Sequence, residues 1–507
     1  MRVAAGGLGE TMGGIAERSA RIGLAAAWML GLAAIFLVTR PQAAAAGPVP
    51  APLAVAAGVP DQGRAWELIT PEEPMGAVIS AYKALAVDGN RIVYETRGPL
   101  PGSPSGDGQS YNMARRTDGG WVNEQVASPY PRRSISVPLD APELYDRNLE
   151  TSIGWSWIPG EEPWWLHEQG VFRGEPDGTF RLKARLRQEG ASFIGASPDL
   201  RRSYFVDWEH LLPADAGRVN GNSVFELDEE EIHQLDVDNG GNLLFTCGAD
   251  VPQGSGISND GERVFIVPGY SCNGVGGVFL REAGTTTEIS SPDCALADCG
   301  GEPSPRFVGA TPDGGHAYLY AETRLTADDT DPGPGLYRYD VDSGQLTLLT
   351  GISGIAPTSA KATPSPDGSA VAFGATSESE GEGMAILDAH GARFLATPPG
   401  FMEWSADSRY LVFSTGLQLA PQDHDEQLDV YRYDSASGTF TEISAGAAGA
   451  GDGAFAAELG GGKEFPGLAW LYPSNPNRVM STDGQRIFFG TAERLVPEDR
   501  NDAADVY

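Results

Sequence analysis

The chain has 507 residues, 41% hydrophobic and 21% charged, which is too long for one ordinary compact core and too apolar for disorder. Gly (66) and Pro (37) are abundant, a composition that suits many strands joined by tight turns better than a helical protein. With 69 acidic against 35 basic residues the formal net charge is −34. Such a surface repels phosphate backbones and anionic lipid heads, which argues against nucleic acid and against peripheral membrane binding; it suits cations, basic partners or plain solubility.

Residues 22–38 form an unbroken apolar run, preceded by Arg18 and Arg21 and followed by the small residues Ala43–Ala46. A basic flank, a short apolar stretch and small residues describe a secretory signal peptide. The run is also close to the shortest stretch that spans a bilayer, so a retained N-terminal anchor competes for residues 1–46. Residues 47–62 read as a Pro/Ala linker. Either way the remainder is expected to be extracytoplasmic: secreted, periplasmic or attached to the cell envelope. The cysteines fit that compartment. All four (Cys247, Cys272, Cys294, Cys299) lie close together, and neither a C-x-x-C pair nor a nearby His supports zinc. Of the three pairings, Cys247–Cys272 between neighbouring hairpins and Cys294–Cys299 as a small loop are favoured.

A turn followed by an apolar strand then recurs through the chain. Asp88-Gly89 precedes RIVYE, Ser197-Pro198-Asp199 precedes SYFVD, and Asn259-Asp260-Gly261 precedes RVFIV. Thr311-Pro312-Asp313-Gly314, Ser365-Pro366-Asp367-Gly368, Ser405-Ala406-Asp407 and Ser481-Thr482-Asp483-Gly484 continue the series. Pro presets the first turn position, Asp caps the turn, Gly accepts positive φ, and the alternating aromatic and β-branched residues predict a half-buried strand. A second strand follows (GLYRYD at 335–340, DVYRYD at 429–434) and a third closes each unit (QLTLLT at 345–350, TFTEIS at 439–444). With a short strand ahead of each turn, every unit is a four-stranded antiparallel meander, which predicts an all-β fold of seven to eight blades around an axis. The segment Asp146–Arg185 is the degenerate unit that leaves the count open, and 445–473 reads as a low-complexity loop.

These turns and strands, best seen in SPDGSAVAF at 365–373, resemble the PD40 or TolB-like family of WD40-like β-propellers. The resemblance covers residues 82–507 and implies a fold far more than a function, because such propellers serve as binding platforms, Tol-system components and front domains of peptidases. It sets the propeller at 63–507. The last unit ends in its third strand, and Arg64–Thr70 matches the closing strands, so 63–72 is expected to pair with the last blade and close the ring; a fourth strand from a longer tail is the alternative.

Asp423-His424-Asp425-Glu426-Gln427-Leu428-Asp429-Val430-Tyr431 aligns without gaps on Asp499-Arg500-Asn501-Asp502-Ala503-Ala504-Asp505-Val506-Tyr507. A looser copy runs from Asp329 and Asp331 to Gly335 and Tyr337. Asp423, Asp425 and Asp429, and likewise Asp499, Asn501 and Asp505, offer oxygen donors on one tight loop, as a Ca²⁺ ion requires. The other reading is that these side chains cap the loop's own N–H groups. No further cofactor is indicated. Catalytic motifs are missing: no G-x-S-x-G, H-E-x-x-H or Walker loop occurs, and the six His are scattered. Trp155, Trp157, Trp164 and Trp165 fill a blade wedge or form a ligand platform. The expected protein is an exported non-catalytic binding or scaffold module taking a protein or glycan ligand at the mouth of the axial channel. The alternative is a propeller hydrolase or lyase acting on peptide or carbohydrate.

Overall fold

The computed structural model divides the chain into residues 1–55 and 56–507. The residues described are 66–71, 78–98, 100, 109–126, 144–157, 169–186, 191–252, 255–272, 276–292, 305–331, 333–350, 354–398, 400–445, 457, 459, 478–500 and 505–507. The signal or anchor segment, the linker, Cys294, Cys299, Asn501, Trp164 and Trp165 lie outside them, as do the side chains of Trp155 and Trp157.

The fold is a β-propeller of seven four-stranded antiparallel blades, at 78–125, 144–186, 192–234, 249–288, 306–348, 355–395 and 402–442, here numbered 1 to 7. Each is a simple meander; in blade 6 the first strand is split into Ile355–Pro357 and Thr363–Pro364, both paired with Val371–Ser377. A smaller eighth sheet pairs Gly490–Thr491 with Asp505–Val506, extended by a bridge from Met480 to Ile487. Among the described residues the helical content is one 3₁₀ turn, Pro213–Gly217. First strands stand on the inner edge, where the Ala362 N–H of blade 6 donates to Val308 O of blade 5 at 2.7 Å.

The second strands are buried on both faces, which corrects the half-buried expectation. Arg202–Asp207 is buried from Ser203 onward. Its alternation sends Phe205 into a core shared with Val171 and Leu186 of blade 2, and Tyr204 and Val206 into one shared with Val264 and Ile266 of blade 4. Alternating side chains therefore serve two neighbours rather than one neighbour and water. The same sharing runs round the ring. Leu411 and Phe413 pack with blade 6 while Val412 packs with Phe489 of the eighth sheet, and Phe488 and Val506 of that sheet pack with Leu85 and Tyr94 of blade 1.

The recurrent turn is a hydroxyl–carboxylate device. Ser365 Oγ donates to Asp367 Oδ1 at 2.8 Å and accepts the Ala370 N–H at 2.9 Å, while Asp367 Oδ1 also accepts the Ser369 N–H at 2.9 Å. Ser197–Asp199, Ser258–Asp260, Thr311–Asp313, Ser405–Asp407 and Ser481–Asp483 repeat it at 2.5–2.8 Å. Burial opposes ionisation of Asp367, yet the donors from Ser369, Ser365 and Ser408 hold its carboxyl down to about 2.

A second device ends blades 4, 5 and 7 and the eighth sheet. The last hydroxyl of the closing strand accepts the N–H of the residue that opens the buried part of the third strand: Ser290 for Val278, Thr350 for Leu336 and Ser444 for Val430, at 2.9–3.0 Å. In the eighth sheet the hydroxyl comes from the other end of the chain. Thr70 Oγ1 accepts the Val506 N–H at 3.4 Å and donates to Asp505 Oδ1 at 2.5 Å, just as Ser444 Oγ donates to Asp429 Oδ1 at 2.7 Å. The Ile69 N–H donates to Val506 O at 2.9 Å, Trp66 packs edge-on against Phe489, and Glu67 is ion-paired to Arg116 of blade 1. Replacing Thr70 with Val removes the hydroxyl that donates to the buried Asp505 carboxylate and is expected to lower unfolding free energy by about 1–3 kcal/mol in a denaturant titration. Ser444→Ala, the same change within blade 7, should cost a similar amount; a Thr70→Val variant as stable as the parent would mean that this contact does not hold the last sheet.

Candidate functional site

A meander sends the turn between its first and second strands to one end of the sheet and the loop between its second and third strands to the other. The hydroxyl–carboxylate turns therefore share one face of the propeller, and the second-to-third loops share the opposite one. On that loop face the connections are long in blades 3, 4, 5 and 7 and in the eighth sheet, but only residues 378–380 in blade 6.

Three of these loops are closed by one lock. The tyrosine at the third position of the following strand buries its ring and donates its hydroxyl to the first aspartate of the loop: Tyr337 to Asp329, Tyr431 to Asp423, Tyr507 to Asp499. Each hydroxyl also accepts a loop N–H, from Leu325, Leu419 and Leu495, at 3.3–3.4 Å. Burial, with the carboxylate beside it, pushes the Tyr431 hydroxyl well above the usual phenol range. The other oxygen of the aspartate caps the loop, accepting the N–H of Asp331 at 3.0 Å in blade 5 and of Asp425 at 3.2 Å in blade 7. The first donor of each motif is thus engaged structurally. The aspartate–tyrosine spacing that specifies the lock was visible in the sequence alignment, but the tyrosine reads there only as a core residue.

Of the sequence-predicted donors, Asp423, Asp425 and Asp429 are brought together, each offering a carboxylate oxygen within 4.8 Å of the others. Asp423 and Asp429 are buried and Asp425 half-buried; Asp425 Oδ1 accepts the Gln427 N–H at 2.6 Å, whereas its buried Oδ2 has no hydrogen-bond partner among the described residues. Burial and the charges of Asp423, Asp425 and Glu493 push the Asp429 carboxyl up to about 7, against the pull of Ser444. In the second copy Asp499 and Asp505 are buried, Asp505 is held by Thr70, and Asn501 is outside the described residues. In the third copy Gly335 stands where Asp429 stands in blade 7, and a Cβ there would come within 2.6 Å of the Tyr337 ring as that ring is placed. Beside it, a cavity of about 530 Å³ opens between blades 5 and 6, lined by Asp329, Asp331, Gly335, Thr350, Thr376 and Glu378 among others.

The inner strands carry charge of their own. Glu403 in blade 7 accepts the Val479 N–H at 2.5 Å and lies 3.7 Å from the Arg478 guanidinium of the adjoining sheet. Burial outweighs that guanidinium and pushes the Glu403 carboxyl up to about 7.

No protein-family model matches the chain, and none of the curated proteins does. Among solved structures it is similar to TolB from Acinetobacter baumannii (15% identity, 67% of this chain and 77% of that one, TM-score 0.30). It is also similar to an oligogalacturonate lyase in complex with manganese (11%, 68% and 88%, TM-score 0.41). A third is the β-propeller domain of the trilobed protease from Pyrococcus furiosus, described as having an open velcro topology (10%, 72% and 97%, TM-score 0.36). These likenesses are to the fold, and the propeller assignment rests on the sheets themselves.

Two outcomes test this anatomy. Tyr431→Phe leaves the buried Asp423 carboxylate without its hydroxyl donor and should cost about 1–3 kcal/mol in a denaturant titration. Glu403 has a folded pKa raised from 4.5 to about 7, so the stability linked to its proton is complete below 4.5 and is lost as pH rises through about 7. Glu403→Gln, which keeps an acceptor for Val479, should flatten the decline in melting temperature over that window; an unchanged slope would show that the decline has another source.

Proposed function

We propose that this chain is an extracytoplasmic, non-catalytic β-propeller that binds a protein or glycan ligand at the mouth of its axial channel on the loop face. The observation that carries the reading is the construction of that face: long loops of several blades gather there, and three of them are fixed by buried aspartate–tyrosine bonds. Loops held in one conformation lose little entropy on engaging a ligand, which is how rigid scaffolds present binding surfaces. The Cys247–Cys272 disulfide supports an oxidising compartment.

Within this reading Asp423, Asp425 and Asp429 form a calcium site. The donor set is all carboxylate oxygen, as a hard cation prefers, and the buried Asp425 Oδ2 supplies a ligand atom that no donor among the described residues uses. The ion would offset the mutual repulsion of the three carboxylates and stiffen the blade 7 loop.

The test uses the chain from residue 47 onward, melted with calcium and with EGTA alongside bound-metal analysis. Calcium should raise the melting temperature, and Asp425→Asn, which spares the Tyr431 lock, should abolish the rise. No shift and no bound metal would return these aspartates to loop capping alone. Binding itself is tested by immobilising the chain, capturing from an envelope fraction and identifying what is retained. Substitutions on the loop face should abolish capture and those on the turn face should preserve it; the reverse pattern, or no specific capture, would overturn the assignment.

A further inference from the structure

Blade 5 lacks one member of a set that blade 7 and the eighth sheet complete. In those two, the capping hydroxyl of the closing strand has two partners. It accepts a backbone N–H and donates its proton to a carboxylate, Ser444 to Asp429 and Thr70 to Asp505. In blade 5 Thr350 accepts the Leu336 N–H at 2.9 Å, but Gly335 occupies the carboxylate's position. Thr350 is only 6% exposed, and among the described residues no acceptor takes its hydroxyl proton. A buried donor in this state gains from an acceptor brought by a ligand.

The cavity of about 530 Å³ between blades 5 and 6 lies at this point, with Thr350 and Gly335 both on its wall. Its remaining polar groups are of one sign. No basic residue lines it, whereas Asp331 enters from blade 5 and Glu378 from the short loop of blade 6. Both are exposed. Asp331 Oδ1 accepts the Gly333 N–H at 2.9 Å, and its Oδ2 is unused among the described residues. Asp329, also on the wall, is committed to the Tyr337 hydroxyl and to the Asp331 N–H. That lock fixes the blade 5 side of the cavity before any ligand arrives.

These features select the occupant. An anionic group would meet the Thr350 donor but be repelled by Asp331, Glu378 and the field of a chain of net charge −34. A bare cation would leave the half-buried Leu348 and Ile355 of the wall uncovered. An arginine or lysine side chain meets both demands, because its apolar stem covers such a wall while its charged head reaches the carboxylates. The main chain that carries it brings carbonyl oxygens, the acceptor that Thr350 lacks.

We infer that the cavity between blades 5 and 6 receives an arginine or lysine side chain of a protein ligand, its charge on Asp331 and Glu378 and a carbonyl oxygen of the same ligand on Thr350. This rests on the binding-module reading above and names what its ligand presents. The probes are Nα-acetyl-arginine methylamide, its lysine counterpart and its citrulline counterpart, which keeps the shape of arginine without the charge. Each is titrated to millimolar concentration against the chain from residue 47 and read by calorimetry. At least one cationic probe should bind, with an affinity that falls as salt rises, and citrulline should bind about tenfold more weakly or not at all. The Asp331→Asn Glu378→Gln double substitution, which spares the Asp329–Tyr337 lock, should weaken binding about tenfold with no loss of melting temperature. Glu230→Gln, which removes an exposed charge on the turn face, should leave it unchanged. Absence of binding by both cationic probes, citrulline binding as well as arginine, or binding that survives the double substitution overturns the inference. If the loop face captures a protein while these probes fail, only the basic-group assignment fails; if it captures nothing, the binding-module reading fails with it.

Discussion

A sheet whose two faces are both apolar has no stable existence in water, and this constraint organises the molecule. Each second strand divides its side chains between two neighbours, so a blade is complete only when both neighbours are present. The requirement passes round the ring until the last sheet meets the first, and there residues 66–70 stand where Ser444 and Thr350 stand in their own blades. Short as it is, that segment covers Phe489 with Trp66, answers the Val506 N–H with Thr70, and ties to blade 1 through Glu67. Its few contacts matter because the sheets on either side of it share cores with everything else.

Buried polar chemistry follows the same economy of parts. Hydroxyls and carboxylates recur at three kinds of place: the Ser/Thr-x-Asp turn of six units, the capping hydroxyl of the closing strand in four, and the aspartate–tyrosine lock in three. In each, one side chain serves a donor and an acceptor at once, which lets polar atoms sit at the ends of a packed sheet without stranded hydrogen-bonding groups. The first device belongs to the turn face and the third to the loop face, so the two ends of the propeller are stiffened by different means.

The sequence discloses the repeat because turn chemistry is local. Ser365, Asp367 and Gly368 act on their immediate neighbours, and so their spacing can be read without knowing what lies beside them. Burial of both strand faces is not local, and the alternation in SYFVD predicts one wet face until the next blade is placed against it. The aspartate motif was legible as three donors per loop, but the partner of its first member, Tyr431, reads in sequence as an ordinary strand residue. The unused Thr350 donor is not legible in the sequence either, since Gly335 reads there only as a missing member of the motif.

The distribution of acid over the loop face then divides it into two regions of opposite character. Around blade 7 the carboxylates of Asp423, Asp425 and Asp429 are crowded within 4.8 Å of one another. Around blades 3 and 4 the buried Arg218 is instead paired with the fully buried Asp215 and ties the 208–222 loop from within. A uniform drive toward solubility would spread acid evenly. Here acid is crowded at one loop and paired with a buried guanidinium at another. The two regions stand on the same rigid ring, so an ion that stiffens the first need not disturb the second, and each can be tested without the other.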